Sequence, residues 1–246
     1  MSEQNFFKGH IEDLIFREAR GELMVFSSFL TPEESEIAAA ICRKAKAPFL
    51  LYGGYDDSER KILAVSSMDA EVLVQCFPIA VIQFLGDLDG ISNRDVLGSL
   101  MASGIRRDVL GDIIVQDGLA LVLVADHIKD YILNNITSIG RKNVEVKVLS
   151  DDFEIPKREY EQLRLTVASM RLDAVVGAVT HLSREQACRL IEGKQTAINH
   201  CVIDKKTKEV QAGDRLIVRG HGKWIVDSCD MQTKKGRTVI ICRKYI

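Results

Sequence analysis

Apolar residues recur at helical spacing from the start of the chain: Phe7, Ile11, Leu14 and Ile15 share one face and predict an amphipathic helix. Thr31-Pro32-Glu33-Glu34 marks a second helix start, in which threonine caps, proline takes the first turn and glutamate closes a capping box. The runs Phe49-Leu50-Leu51-Tyr52 and Ile62-Leu63-Ala64-Val65 predict two strands around the turn region Gly53-Gly54-Tyr55-Asp56-Asp57. Residues 1–75 are therefore expected to form a small N-terminal α/β domain.

The next stretch changes period repeatedly. Strand Ile79–Leu85, helix Asn93–Ser103, strand Asp112–Val115, strand Leu119–Val124, helix His127–Ile136 and strand Val144–Leu149 give the order βαββαβ. Ser92 caps the first helix with Asp95 three residues on, and Asp117-Gly118 suits a tight hairpin turn. This is the order of a ferredoxin-like split βαβ, a topology shared by RNA-recognition-motif (RRM-like) domains, expected over residues 76–150. Such domains stack bases on aromatic residues of their central strands. Here the third strand reads Leu119-Ala120-Leu121-Val122-Leu123-Val124 and offers none, so the sheet is expected to be doubly buried, a scaffold or protein-contact surface. Any RNA contact of this domain would come from Arg106 and Arg107 or from Arg141 and Lys142, in two glycine-led loops.

Asp151-Asp152-Phe153-Glu154-Ile155-Pro156 reads as a linker into a third domain, residues 151–246, whose first strand carries Leu163, Leu165 and Val167 in alternation. A helix follows over Leu172–Val179. Ser183 caps the next one, with Gln186 completing the box and Ala187, Leu190 and Ile191 as its apolar stripe. Gly193 is expected to end that helix as its C′ residue, Asn199-His200 and Gly213-Asp214 to form turns, and Thr196–Ile198 and Arg215–Arg219 to form strands. The fold class is α+β.

Composition changes the picture once it is divided. The 246 residues are 46% hydrophobic and 28% charged, an ordinary globular mixture, with 33 basic against 35 acidic side chains. Residues 1–156 hold 15 basic and 25 acidic groups, whereas residues 157–246 hold 18 and 10, so a net charge of −2 conceals −10 and +8. A basic C-terminal module points to a polyanion. Arg171, Arg184, Arg189, Lys194, Lys205, Lys206 and Lys208 ring its helices, and Arg184 stands in a helix first turn, where free N–H groups favour phosphate oxygens. Arg171 with Asp173 also suits a plain intramodule ion pair, and Lys205-Lys206-Thr207-Lys208 suits a solvated hairpin as well as a phosphate contact.

The six cysteines include no C-x-x-C pair and the five histidines keep no ligand spacing to them, so neither a metal nor a cofactor is expected. Cys188, Cys201 and Trp224 fall in apolar patterns and are read as core. The polar start and the short, interrupted apolar run Val72–Leu85 suit a reduced cytoplasmic protein without a membrane span.

Arg171-Leu172-Asp173, Ser183-Arg184, the helix from Ala187 to Ile191, Gly193, Ile198-Asn199 and Gly213-Asp214 together resemble the S-four domain, an RNA-binding module first described in ribosomal protein S-four. The resemblance implies RNA contacts from Arg171, Ser183, Arg184, Lys194 and Asn199. One departure is His200, where that family commonly has glycine. Gly53-Gly54-Tyr55 with Glu59-Arg60-Lys61, Gly104-Ile105-Arg106-Arg107 with Gly111-Asp112-Ile113, and Thr233-Lys234-Lys235-Gly236-Arg237 are similar to landmarks of the YlmH family of bacterial S-four proteins. Lys235 and Arg237 join the expected RNA-binding set through their place in the basic module. Membership would imply a ribosome-associated monomer that binds rRNA or peptidyl-tRNA on the large subunit, in quality control of obstructed subunits, with a gene neighbourhood tied to cell division.

S-four domains also accompany catalytic ones, but the glycine-rich cofactor loop of a methyltransferase is missing, as are a synthetase's ATP-binding signatures. Asp87 and Asp89 are as suited to capping a helix as to catalysis, and no nucleophile, base and orienter set is visible. The expectation is a non-enzyme, with an adaptor for an acidic protein partner as the alternative and an RNA-modifying enzyme less favoured still.

Overall fold

The computed structural model describes residues 3–116, 118–150, 153–156, 160–233 and 236–245. The chain forms two compact units, Met1–Ile155 and Pro156–Ile246, which meet where the charge changes sign.

Within the first unit, helices α1 (Glu3–Ala19) and α2 (Pro32–Ala45) lie against a three-stranded antiparallel sheet of β1 (Val25–Leu30), β2 (Phe49–Tyr52) and β3 (Lys61–Val65), in order β1-β3-β2. The box at Thr31 is present, Thr31 Oγ1 accepting the Glu34 N–H and Glu34 returning a carboxylate oxygen to the Thr31 N–H at 2.7 Å. A short helix α3 (Ala70–Gln75) leads to β4 (Ile79–Gly86), α4 (Asn93–Ala102), β5 (Leu110–Gln116), β6 (Leu119–Ala125), α5 (Lys129–Asn135), β7 (Ser138–Ile139) and β8 (Lys142–Val148). These strands form one antiparallel sheet in order β5-β6-β4-β8-β7. The boundary expected after residue 75 falls inside this unit, because the two sheets share a core. Ile62 and Ala64 of β3 pack with Leu121 and Leu123 of β6, while the alternate residues Leu63 and Val65 face α1 and α2. On β6, Ala120, Val122 and Val124 turn to the other side, under α4 and α5. Burial on both faces is why that strand is apolar at every position.

Helix α3 and strand β1 carry no clear periodic signal. The strand reads VFSSFL, and its two serines belong to an irregular pairing between Phe26 and Phe29, where Ser27 Oγ accepts the Leu63 N–H at 2.9 Å.

In the second unit, β9 (Tyr160–Val167) precedes α6 (Leu172–Thr180) and α7 (Arg184–Glu192), followed by β10 (Thr196–Ile198), β11 (Cys201–Val202), β12 (Arg215–Val218), β13 (Gly222–Gln232) and β14 (Thr238–Tyr245). The sheet runs β11-β10-β12-β13-β14-β9, so the first strand pairs with the last. Leu172, Val175 and Val176 of α6, Ala187 and Ile191 of α7, and Trp224, Val226, Ile240 and Cys242 of the sheet form its core. Trp224 is buried as expected, whereas Cys201 is exposed on the edge strand β11, because the alternation through Ile198 is reset by the turn before it. Burial pushes the Cys242 thiol up to about 11, which keeps it inert. Among the described residues, no helix is long and apolar enough to cross a membrane.

Candidate nucleic-acid interface

Asp173 organises the helix side of the second unit. It stands in the first turn of α6 with a side chain 2% exposed. Its carboxylate accepts from Arg171 Nε at 3.1 Å, from Arg184 Nε and a terminal nitrogen at 3.0 and 2.8 Å, and from the Ala174 N–H at 3.0 Å. Burial alone pushes this carboxyl up, but hydrogen bonds from Arg171 and Arg184, with their charges, hold it below the usual range. The Arg184 side chain remains 68% exposed, so the buried anion fixes one edge of the guanidinium and leaves the rest facing solvent.

Ser183 begins α7 as a cap: its hydroxyl accepts the Gln186 N–H, and Gln186 accepts the Ser183 N–H at 3.0 Å. The Leu172 and Asp173 N–H groups donate to the carbonyls of Lys208 and Lys206, at 2.8 and 3.2 Å. The basic run from Lys205 to Lys208 is thereby tied beside Arg171, with Lys206 Nζ 3.3 Å from Glu192. Arg184 and Arg237 line a cavity of about 290 Å³ with Asp173, Ser169 and the small residues Ala174 and Ala178. The structure thus groups Arg171, Arg184, Lys205, Lys206 and Arg237. Arg189 pairs with Glu185 on the exposed surface of α7. Lys235 lies outside the described residues.

The far end of α7 differs from expectation. Gly193 has φ −76°, an ordinary value, and the left-handed residue is Lys194 at φ 55°. The Lys194 N–H donates to Ile191 and the Gln195 N–H to Leu190, at 3.0 and 2.9 Å, which makes Lys194 the C′ residue of a Schellman motif. Gly193 has a packing reason instead, since a Cβ there would sit 3.0 Å from the Arg189 carbonyl oxygen. Asn199 and His200 join β10 to β11 with φ 48° and 66°, as a two-residue loop of the primed type requires. The Asn199 side chain accepts the Arg215 N–H at 2.9 Å and donates to Asp214 at 2.7 Å, so it builds the turn.

The first unit holds the other cations expected to touch RNA. Arg106 pairs with Asp108 and is 80% exposed, Arg141 is exposed, and Lys142 pairs with Asp87 at 2.9 Å. Arg107 turns inward. It donates to the carbonyls of Leu110 and Gly111 at 2.8 and 3.1 Å, and burial, with the nearby Arg60 charge, lowers its pKa to about 10. Arg60, 8% exposed, donates to Leu110, Phe29 and Arg107 carbonyls at 2.8, 2.9 and 3.3 Å. Asp112 accepts from Tyr55 Oη and the Glu59 N–H, both at 2.7 Å, and from the Arg60 N–H at 3.0 Å. Two motifs about fifty residues apart therefore close into one buried polar network. Gly111 belongs to it by necessity, because a Cβ there would approach the Phe29 ring to 2.7 Å.

Residues 78–152 match a family described as "Putative RNA-binding domain in YlmH". The chain is also 28% identical over 220 residues to the ribosome-associated protein quality control protein P2 of Bacillus subtilis (strain 168), covering 87% of this chain and 84% of that one. Both matches liken the chain to YlmH proteins. A solved structure of the cell division protein ylmH from Streptococcus pneumoniae shares the fold at TM-score 0.52 and 16% identity, over 61% of this chain and 93% of that one. The segment matched by the family is the five-stranded sheet with its helices, and the helix-free face of that sheet is closed by the chain's own N-terminal sheet. Its exposed cations include Arg106 and Arg141 on loops, Arg94 on α4 and Lys147 on β8.

Proposed function

We propose that this chain is a non-enzymatic RNA-binding protein of the ribosome, acting in ribosome-associated quality control, and that its second unit grips structured rRNA or tRNA of the large subunit through phosphates. The observation that carries the reading is the buried Asp173 carboxylate, which holds Arg171 and Arg184 at the surface beside the start of α7 and the Lys205–Lys208 turn. Prepositioned guanidinium groups lose less freedom on meeting a phosphate, and forked donors suit its oxygens. The names of the B. subtilis relative and of the matched family support the RNA and ribosome parts of this proposal. The second unit is read as an S-four-type domain and the five-stranded sheet as a ferredoxin-like scaffold that offers RNA the Arg106 and Arg141 loops. A cytoplasmic location follows from a ribosomal partner.

Replacing Arg184 with Ala should weaken binding to large-subunit RNA and lower the log–log salt slope by about one. An unchanged slope and affinity would remove Arg184 from the interface. In a sucrose gradient the chain should travel with large subunits at low salt and leave them at high salt. A protein found at the top under both conditions would favour an adaptor for an acidic partner.

A further inference from the structure

The opposite face of the six-stranded sheet is chemically distinct from the helix side. Along β14, Ile240 and Cys242 enter the core, so Ile241, Arg243 and Tyr245 project from the other face. Register places Tyr245 opposite Tyr160, Arg243 opposite Ile225 and Gln162, and Ile241 opposite Arg164. On β12, Ile217 is opposite Lys223 and Arg215 opposite Ile225. None of Ile217, Ile225 and Ile241 joins the core cluster, and all three are half-buried.

Two tyrosines sit together at one corner of this face, at the first residue of the edge strand β9 and the last of β14. Their ring centroids lie 5.1 Å apart at 72°, with the Arg243 guanidinium 4.9 Å from the Tyr160 centroid and the Lys223 ammonium 5.9 Å from that of Tyr245. Asp227 receives Arg243 Nε at 3.0 Å on both carboxylate oxygens, which fixes the guanidinium plane over the ring. Among the described residues, Arg164, Arg215, Lys223 and Arg243 set four positive charges on these rows, with Asp227 as the acidic group.

Partly exposed aromatic rings and a guanidinium plane on an antiparallel sheet are surfaces on which unstacked bases lie, and the flanking cations neutralise the phosphates between them. Paired bases in a duplex offer no such faces, and an acidic peptide would leave the rings unused. We propose that this face is a second RNA surface that takes a single-stranded segment, stacking bases on Tyr160, Tyr245 and Arg243 and seating phosphates on Lys223, Arg215 and Arg164. It rests on the preceding reading only for the class of ligand, since it uses none of the residues around Asp173.

The test uses the full chain with two probes: a photoreactive oligouridylate of about ten nucleotides carrying 4-thiouridine, and a short RNA hairpin. Adducts on the oligouridylate should map to β9 and β14 peptides containing Tyr160 or Tyr245. Tyr160→Leu with Tyr245→Leu should weaken oligouridylate binding roughly ten-fold or more while changing hairpin binding less than about two-fold, and Arg184→Ala should give the opposite pattern. Adducts confined to α6, α7 and the Lys205–Lys208 turn would overturn the proposal, as would a folded double variant that binds oligouridylate like the parent. If the double variant does not fold, the adduct map of the unaltered chain and the single change Lys223→Gln, expected to weaken oligouridylate binding several-fold, decide it. Hairpin binding without oligouridylate binding sinks this surface and leaves the earlier reading standing. The reverse result sinks that reading and leaves this surface.

Discussion

In the proposed phosphate grip, a negative residue, Asp173, would serve an anion-binding site by holding its cations in place. A charge count predicts that Asp173→Asn tightens RNA binding, because one carboxylate is removed. If its role is to hold Arg171 and Arg184, the same change should weaken binding several-fold, and titration against a large-subunit RNA fragment reads the sign directly. The exposed arginines make its stability effect modest, about 1 kcal/mol. Since the folded carboxyl sits below its ordinary pKa, its contribution is present above about pH 4 and fades as acid protonates it, so the variant should lose less stability than the parent as the pH is lowered below about 4. Lys194 and His200 separate backbone from charge in another way. Left-handed geometry costs a side-chain-bearing residue about 1 kcal/mol relative to glycine. Lys194→Gly should therefore raise the melting temperature slightly while lowering RNA affinity, a pairing of signs that a merely structural lysine would not give.

At the scale of elements, the capping boxes at Thr31, Ser92 and Ser183 were readable because each is complete within four residues. The stop of α7 was read one residue early, because glycine is the usual left-handed residue and here lysine takes that place. The Tyr55–Asp112–Arg60 network was visible only as separate motifs, since contacts across fifty residues leave no periodic trace. Its strength can be measured. Arg60→Met would take the side-chain donor from the Phe29 carbonyl and one of two from that of Leu110, which keeps Arg107, and should cost about 2 kcal/mol in urea unfolding, with Tyr55→Phe nearer 1 kcal/mol. Arg107→Ala should likewise lower stability, whereas Arg106→Ala should not, which sorts the Gly104–Arg107 loop into a supporting and an outward cation. The candidate site was legible in part: Arg171, Arg184 and the Lys205–Lys206 pair were named from their positions, but the carboxylate that Arg171 and Arg184 share was read only as a partner of Arg171.

For the whole molecule, charge and compactness divide at the same place, so changes in one unit should leave the other's unfolding intact. Differential scanning calorimetry should show Arg60→Met shifting one transition and Asp173→Asn a different one. The sequence showed this boundary through composition, but it could not show that β9 closes the sheet against β14, because neither strand contains any mark of its distant partner. That pairing, with Tyr160 across from Tyr245, has a consequence for birth as well as for binding. During synthesis β9 emerges before the rest of its sheet and has no neighbour until β14 is made, so the second unit completes its sheet late, while the first unit has all its strands well before. A nascent chain stalled before β14 would therefore carry a folded acidic unit and an open-edged basic one. The Tyr160–Tyr245 pair thus forms only after every other strand of its sheet has been made.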